Sequence, residues 1–319
     1  MKVAFLILVG IVGLLSIVEV GLRSGFGFGQ PLLYLPDAHM GYLLAPNQRT
    51  RRFGNRIEIN QYSMRGAAIT ATRPPQTLRV LLIGDSIVNG GWWTDQNQTL
   101  SALLQQYLYT QPTGYQHVEI LNASANSWGP RNELAYLQHF GGFEAQVIVL
   151  LINTDDLFAT TPTSVQVGRD RNYPNRKPPL ALIEVIHRYL TKPQPIPELE
   201  AVQREGGDRV GANLAAIEAI QTIAAQSNAQ FLLGITPLLR EVGGSGPRDY
   251  EKTARQRLTH FTQQQQIPFI DFLPMFNAAA NPNSFYRDSI HLNSIGNQQV
   301  VEQIGKKIQA SFASRNHRK

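Results

Sequence analysis

Two short stretches hold residues whose types and spacing could do chemistry. The first is Gly84-Asp85-Ser86-Ile87, where a serine follows an apolar run of strand length, Leu78 to Ile83. A serine hydroxyl becomes a useful nucleophile only when a neighbouring base takes its proton. Of the seven histidines, His291 alone has a carboxylate at a helpful spacing, in Asp288-Ser289-Ile290-His291-Leu292-Asn293. In a turn, an acid three residues before a histidine can accept the Nδ1 proton and leave Nε2 facing outward as a base. His39, His117, His139, His187, His260 and His317 lack such a partner and read as surface or core residues. A serine after a strand is more often just the N-cap of the next helix, and Asp-x-x-His also arises by chance. Together the two stretches point to acyl transfer through Ser86.

The chain must then bring a strand end and a distant loop together. Apolar runs at Leu78–Ile83, Val118–Leu121, Val147–Ile152, Phe231–Ile235 and Ile267–Phe272 read as parallel strands buried on both faces. Helical faces lie between and after them: Leu100, Leu103, Leu104 and Leu108; Leu214, Ile217, Ile220 and Ala224; Val301, Ile304, Ile308 and Phe312. This alternation predicts an α/β fold with a doubly wound, five-stranded parallel sheet. Ser86 then stands at the carboxyl end of the first strand, where such sheets hold their ligands. Val88 occupies the position of the second glycine of a nucleophile elbow, which excludes the α/β-hydrolase turn.

These residues resemble the SGNH/GDSL hydrolase family over about Leu78 to Phe312. Ser86 matches the nucleophile of its Gly-Asp-Ser block, and Asp288 and His291 match its closing Asp-x-x-His block. The resemblance implies a flavodoxin-like three-layer α/β/α sandwich and an acyl-enzyme mechanism without metal or cofactor. It also implies an oxyanion hole made by the backbone N–H groups of Ser86 and of the last residue in the second block. Here that block reads Asn122-Ala123-Ser124-Ala125-Asn126-Ser127, with Ser127 in place of the family's glycine. The third block is normally Gly-x-Asn-Asp and its asparagine is a further donor, but this chain has Asn153-Thr154-Asp155-Asp156. An ionised Asp155 cannot donate and would repel an oxyanion. Either Asp155 is protonated by burial, or Asn153 on the same strand face supplies the amide. Asn126 and Trp128 are candidate substrate contacts, since tryptophans stack on sugar faces; for Trp92 and Trp93 core packing is the commoner use.

Composition bounds the rest. The 319 residues are 43% hydrophobic and 16% charged, which excludes a disordered chain and a polytopic membrane protein. The absence of cysteine removes disulfides, thiolate metal sites and a cysteine nucleophile. The net charge of +6 raises nucleic acid as a partner, yet 13 of the 29 lysines and arginines fall in Arg49–Arg56, Arg169–Lys177 and Lys306–Lys319. Those stretches read as loops and a basic tail, so no nucleic acid is expected. Val3 to Val18 carries no charge, and a span ending at Leu22 reaches about 30 Å. With Lys2 before it and no small-x-small site after it, this segment reads as an uncleaved membrane anchor with the catalytic part outside the cytoplasm, periplasmic or at the cell surface. If it is instead a cleaved signal, the protein is secreted.

The expected organisation is an anchor or signal segment at 1–22, a Gly/Pro/aromatic-rich lead-in at 23–76, and the hydrolase domain at 77–319. A Pro-rich insertion at 161–198 holds seven of the nineteen prolines and reads as a lid, a binding loop or a passive excursion. Asn60-Gln61-Tyr62-Ser63-Met64-Arg65-Gly66 reads as an anchoring or capping strand. The expected activity is serine-dependent hydrolysis of an acyl ester, with acetyl favoured, on an extracytoplasmic carbohydrate or lipid. The alternatives are O-acyl transfer to a polysaccharide with the same triad, and a non-catalytic glycan-binding relative.

Overall fold

The computed structural model describes residues 1–244 and 246–316, so His317 and the last two basic residues lie outside the description. Helix α1 (Lys2–Gly21) continues through a π-helical turn, Leu22–Phe26, and no side chain of α1 is buried. Two antiparallel hairpins follow, β1 (Tyr34–Asp37) with β2 (Gly41–Leu44) and β3 (Gln48–Arg52) with β4 (Asn55–Ile59). The second closes on Phe53-Gly54, both at positive φ (47° and 85°), the two-residue turn whose twist matches a hairpin.

The main sheet comprises β5 (Thr77–Gly84), β6 (His117–Ser124), β7 (Val147–Asn153), β8 (Gln230–Thr236) and β9 (Phe269–Asp271). All neighbours pair in parallel, in the order β6-β5-β7-β8-β9. That is the flavodoxin-like order, whose switch point lies beside the first strand. The helices after α1 are, in chain order, α2 (Ser86–Asn89), α3 (Leu100–Tyr109), α4 (Pro130–Phe140), α5 (Ala181–Val185), α6 (Pro197–Gln203), α7 (Arg209–Gln226), α8 (Asp249–Gln264), α9 (Phe272–Asn277) and α10 (Ser294–Asn316).

Strand alternation sorts the core into two faces. Val80, Leu82, Val149 and Leu151 point to the face covered by α3, α9 and α10, where Leu104, Leu108, Phe272, Phe276, Ile304 and Ile308 are buried. Leu81, Ile83, Ile148, Leu150 and Ile152 point to the other, covered by α4, α7 and α8. This is the expected three-layer sandwich. The hairpins join the second face, because Tyr34, Tyr42, Leu44, Ile57, Ile59 and Met64 belong to the same buried cluster.

Strand β9 is shorter than the apolar run Ile267–Phe272 predicts. Pro268 has no N–H for the ladder, and Asp271, the last residue of the strand, already caps α9, its carboxylate accepting from Leu273 N at 2.9 Å.

Candidate active site

Strand β5 ends at a turn that only glycine fits. A Cβ on Gly84 would lie 2.4 Å from the carbonyl oxygen of Leu151 in β7 and 2.6 Å from the Val88 side chain. Asp85 then caps α2, accepting from Ile87 N at 2.8 Å, so Ser86 opens that helix at the carboxyl edge of the sheet. The loop before α10 approaches from the other side. Leu239 N donates to Ser289 O and Arg287 N to His291 O, at 3.0 and 2.9 Å, and Asn293 accepts from Ile295 N and Gly296 N at the helix start.

These supports bring Nε2 of His291 to 2.9 Å from Ser86 Oγ. Its Nδ1 lies 2.9 and 3.0 Å from the two oxygens of Asp288. Partial burial raises the Asp288 pKa, but the N–H groups of His291 and Ile290 and the His291 ring outweigh it and hold the carboxyl below its usual range. The acid therefore stays ionised, as a group that must hold an imidazole in one tautomer requires.

The sequence profile of the GDSL-like Lipase/Acylhydrolase family matches residues 82–299, from the strand that delivers Ser86 into the helix after His291. The chain belongs to the GDSL-like lipase/acylhydrolase family. It is accordingly a hydrolase acting on ester bonds, and the non-catalytic alternative is set aside. No curated protein matches it. Among solved structures it is similar to the lipase/acylhydrolase from Enterococcus faecalis, at 14% identity over 73% of this chain and 96% of that one, TM-score 0.46. It is also similar to a catalytic mutant of an acetylxylan esterase from Geobacillus stearothermophilus (12%, 72% and 93%, 0.46) and a GDSL-like lipase from Bacteroides thetaiotaomicron (11%, 77% and 93%, 0.44). The family assignment rests on the matched sequence.

In this GDSL-like acylhydrolase the second block turns at the substituted position. Ser127 takes φ 59°, a left-handed conformation that glycine adopts most readily. The backbone N–H groups of Ser86 and Ser127 donate to no acceptor among the described residues. Ser127 Oγ accepts from the hydroxyl of Tyr173, at 2.9 Å, which ties the block to the insertion.

The third block departs from both expectations. Asn153-Thr154-Asp155-Asp156 forms a capping box that starts a 3₁₀ turn: Asn153 Oδ1 accepts from Asp155 N at 2.7 Å, and Asp156 Oδ2 accepts from Asn153 N at 2.8 Å. The Asn153 amide also donates to Asp85 Oδ2 and Asp156 Oδ2, both at 2.9 Å. Its two hydrogens are thereby committed to carboxyl oxygens, leaving none for an oxyanion. Asp155 is not buried either; its side chain is 58% exposed and lies 3.5 Å from Arg240. Asn126 lines the same cleft as Ser86, and its Nδ2 donates to no acceptor among the described residues.

Trp128 is also corrected. It is 1% exposed and its Nε1 donates to Tyr42 O at 2.9 Å, so it offers no ring face to a ligand. Trp92 and Trp93 are not core residues: both line the cleft beside Ser86, and the half-buried Trp93 has its ring centroid 4.4 Å from that of His291.

Two clefts meet at Ser86 and Ser127. One, of about 250 Å³, is lined by Trp92, Trp93, Asn126 and His291, by Thr50 and Arg52 of the lead-in, and by Asn172, Tyr173 and Arg188 of the insertion. The other, of about 460 Å³, runs past Asp155, Thr161, Gln166 and Gln203. The insertion is thus a wall of the site. Tyr173, Arg52 and Arg188 were beyond sequence reasoning, because nothing local ties them to Ser86; proline density was the one signal for Tyr173 and Arg188, and the basic stretch Arg49–Arg56 for Arg52.

Beneath Ser86 lie three buried carboxyls, Asp85, Glu133 and Asp156. Burial raises the pKa of each, and mutual repulsion raises Glu133 and Asp156 further, well above the carboxylate range. Among the described residues Glu133 has no hydrogen-bond partner for either oxygen.

Proposed function

We propose that this chain is a membrane-anchored serine esterase that removes a short acyl group, acetyl above all, through an acyl-enzyme. The observation that carries this reading is the continuous Ser86–His291–Asp288 hydrogen-bond chain. Ser86 Oγ attacks the ester carbonyl while His291 Nε2 takes its proton, and Asp288 stabilises the imidazolium. The tetrahedral oxyanion is held by the N–H groups of Ser86 and Ser127. Collapse expels the alcohol, which takes the proton from His291, and leaves Ser86 acylated. Water then attacks with His291 again as base, releasing the acid and free Ser86.

A cleft of about 250 Å³ beside the serine suits a short acyl chain. Its polar lining, with Thr50, Asn126 and Asn172, suits a carbohydrate alcohol better than a long lipid chain. Helix α1 supports the anchor: the span Lys2–Phe26 has a mean hydropathy of 2.7 in its most apolar window and is wholly unburied. Lys2 favours an inside N-terminus, which sets the catalytic part outside the cytoplasm.

A fluorophosphonate probe should label Ser86, and Ser86→Ala should abolish both labelling and hydrolysis of 4-nitrophenyl acetate. A folded Ser86→Ala protein that retains hydrolysis would sink the mechanism, and release of the protein by alkaline carbonate would sink the anchor. The second cleft gives room for an acceptor alcohol and favours transfer as a second reading. An added oligosaccharide separates the two, since hydrolysis yields free acid and no new ester.

A further inference from the structure

The insertion contains a helix with its polarity reversed. Across α5 and the π-helical turn that continues it, Ile186–Leu190, the buried face carries Glu184 and the half-buried Arg188. Leu180, Ile183, Ile186 and Leu190 recur at helical spacing on the outer face, between 41 and 76% exposed. A surface helix of a soluble domain shows the opposite order. An apolar stripe of this kind marks a contact surface.

The fold fixes where that stripe lies. Glu19, in the last turn of α1, accepts from the backbone N–H groups of Ala181 and Leu182 at 2.7 and 3.0 Å. Arg23 donates to Pro179 O at 3.0 Å. These bonds hold the reversed helix level with the end of α1. From Lys2 to Glu19 the helix rises about 27 Å, close to the roughly 30 Å thickness of a bilayer's hydrocarbon core. If α1 spans the membrane, the stripe therefore meets the bilayer surface.

Two further observations agree with that depth. Exposed aromatics continue from the anchor, with Phe26 on Phe53 and Phe53 on Trp92 at centroid distances of 5.9 and 5.3 Å. Aromatic rings collect at headgroup level because one part is apolar and another tolerates water. The same insertion exposes Arg176, Lys177 and Lys192, none paired with a carboxylate among the described residues, which suits anionic headgroups.

We infer that the helix Ala181–Leu190 lies in the outer headgroup layer of the membrane that holds α1, and seats the mouth of the Ser86 cleft at the bilayer surface. The link to the cleft is direct. Glu184 accepts from Gly29 N at 2.6 Å and pairs with Arg52, while Arg52 and Arg188 line the cleft itself. This inference rests on the anchor reading above. The substrate class it favours is an ester carried by a molecule held at the membrane surface.

The chain lacks cysteine, so single cysteines report single positions. Full-length Val12→Cys, Ile183→Cys, Ile186→Cys and Gln263→Cys proteins, each labelled with a polarity-sensitive fluorophore, would be reconstituted into phosphatidylcholine/phosphatidylglycerol vesicles. With quenchers at defined acyl-chain depths, Val12 should lose most of its emission to the deepest quencher. Ile183 and Ile186 should lose theirs to the shallowest, and Gln263, on α8, should lose none. Quenching at Val12 with Ile183 and Ile186 as bright as Gln263 overturns the inference and leaves the anchor standing. No quenching at Val12 overturns the anchor and the inference with it. Shielding of Ile183 that depends on protein concentration, without quenching by lipid, assigns the stripe to a second copy of the chain and also overturns the inference.

Discussion

The guanidinium of Arg65 donates to the carbonyl oxygen of Asn89 at 2.8 Å, from a side chain that is 1% exposed. It also donates to the carbonyls of Gly91 and Thr94, which bracket Trp92 and Trp93. Since Trp93 lies against His291, Arg65 holds the aromatic wall on which the imidazole rests. Burial pulls its pKa down to about 10, so it remains charged at neutral pH. Arg65→Lys keeps the charge but cannot reach three carbonyls with one nitrogen. The folded variant should lose about 10- to 100-fold in kcat through misplacement of the wall. KM should change far less than kcat, a split that general destabilisation does not produce. Arg65→Ala should cost about 3 kcal/mol or more, because it leaves the carbonyls buried and unpaired.

Asp288→Asn tests the third member of the hydrogen-bond chain. Asparagine can still accept from the N–H groups of Ile290 and His291, so the loop should hold and Tm should change little. It cannot stabilise an imidazolium, and it can hold the ring in the wrong tautomer. A fall in kcat/KM on the order of 10²- to 10⁴-fold is expected from steady-state kinetics on 4-nitrophenyl acetate. A variant within threefold of wild type, on the same order as assay scatter, would remove Asp288 from the mechanism.

The altered third block makes a comparison between Asn126 and Asp155 informative. Asp155 is exposed and near Arg240, whereas Asn126 lines the Ser86 cleft with an Nδ2 that donates to no acceptor among the described residues. Asn126→Ala should lower kcat by about 10²- to 10³-fold if its amide supplies the missing oxyanion donor. Asp155→Ala should leave kcat nearly unchanged. The reverse ranking, read from kcat with KM measured alongside, would return the role to the family's usual position.

Much of the frame was legible because it depends on local pattern. β5 and β7 are buried along their whole length since helices cover both faces, which gives the apolar runs Val80–Ile83 and Val147–Ile152, and Leu214, Ile217, Ile220 and Ala224 repeat at the period of a helix. Ser86 and Asp288-x-x-His291 could be paired because a parallel sheet fixes where its strands end. What escaped depends on contacts far apart in sequence. Nothing near Asn153 signals that its amide is shared between Asp85 and Asp156, and a Trp128 beside Ser127 looks available until the lead-in covers it through Tyr42. The lead-in motif itself was opaque for the same reason, its Arg65 reaching 24 residues ahead to Asn89.

The buried carboxyls give stability a definite dependence on pH. Glu133 is fully buried, faces the charge of Asp85 and has no hydrogen-bond donor, which raises its folded pKa well above the ordinary value. Below the unfolded value of about 4.3 both states hold the proton, and burial carries no ionisation penalty. Above it the unfolded chain releases the proton while the folded one keeps it. The native state then binds more protons, so unfolding free energy falls as pH rises, by up to about 1.4 kcal/mol per unit, until the folded pKa is passed. Glu133→Gln removes this contribution at nearly constant volume. Whatever its absolute stability, its Tm should decline less than wild type between about pH 5 and about pH 8, with a residual slope left by Asp85 and Asp156. Parallel declines in the two proteins would mean that Glu133 is ionised in the folded state, and that some group outside the described contacts compensates its charge.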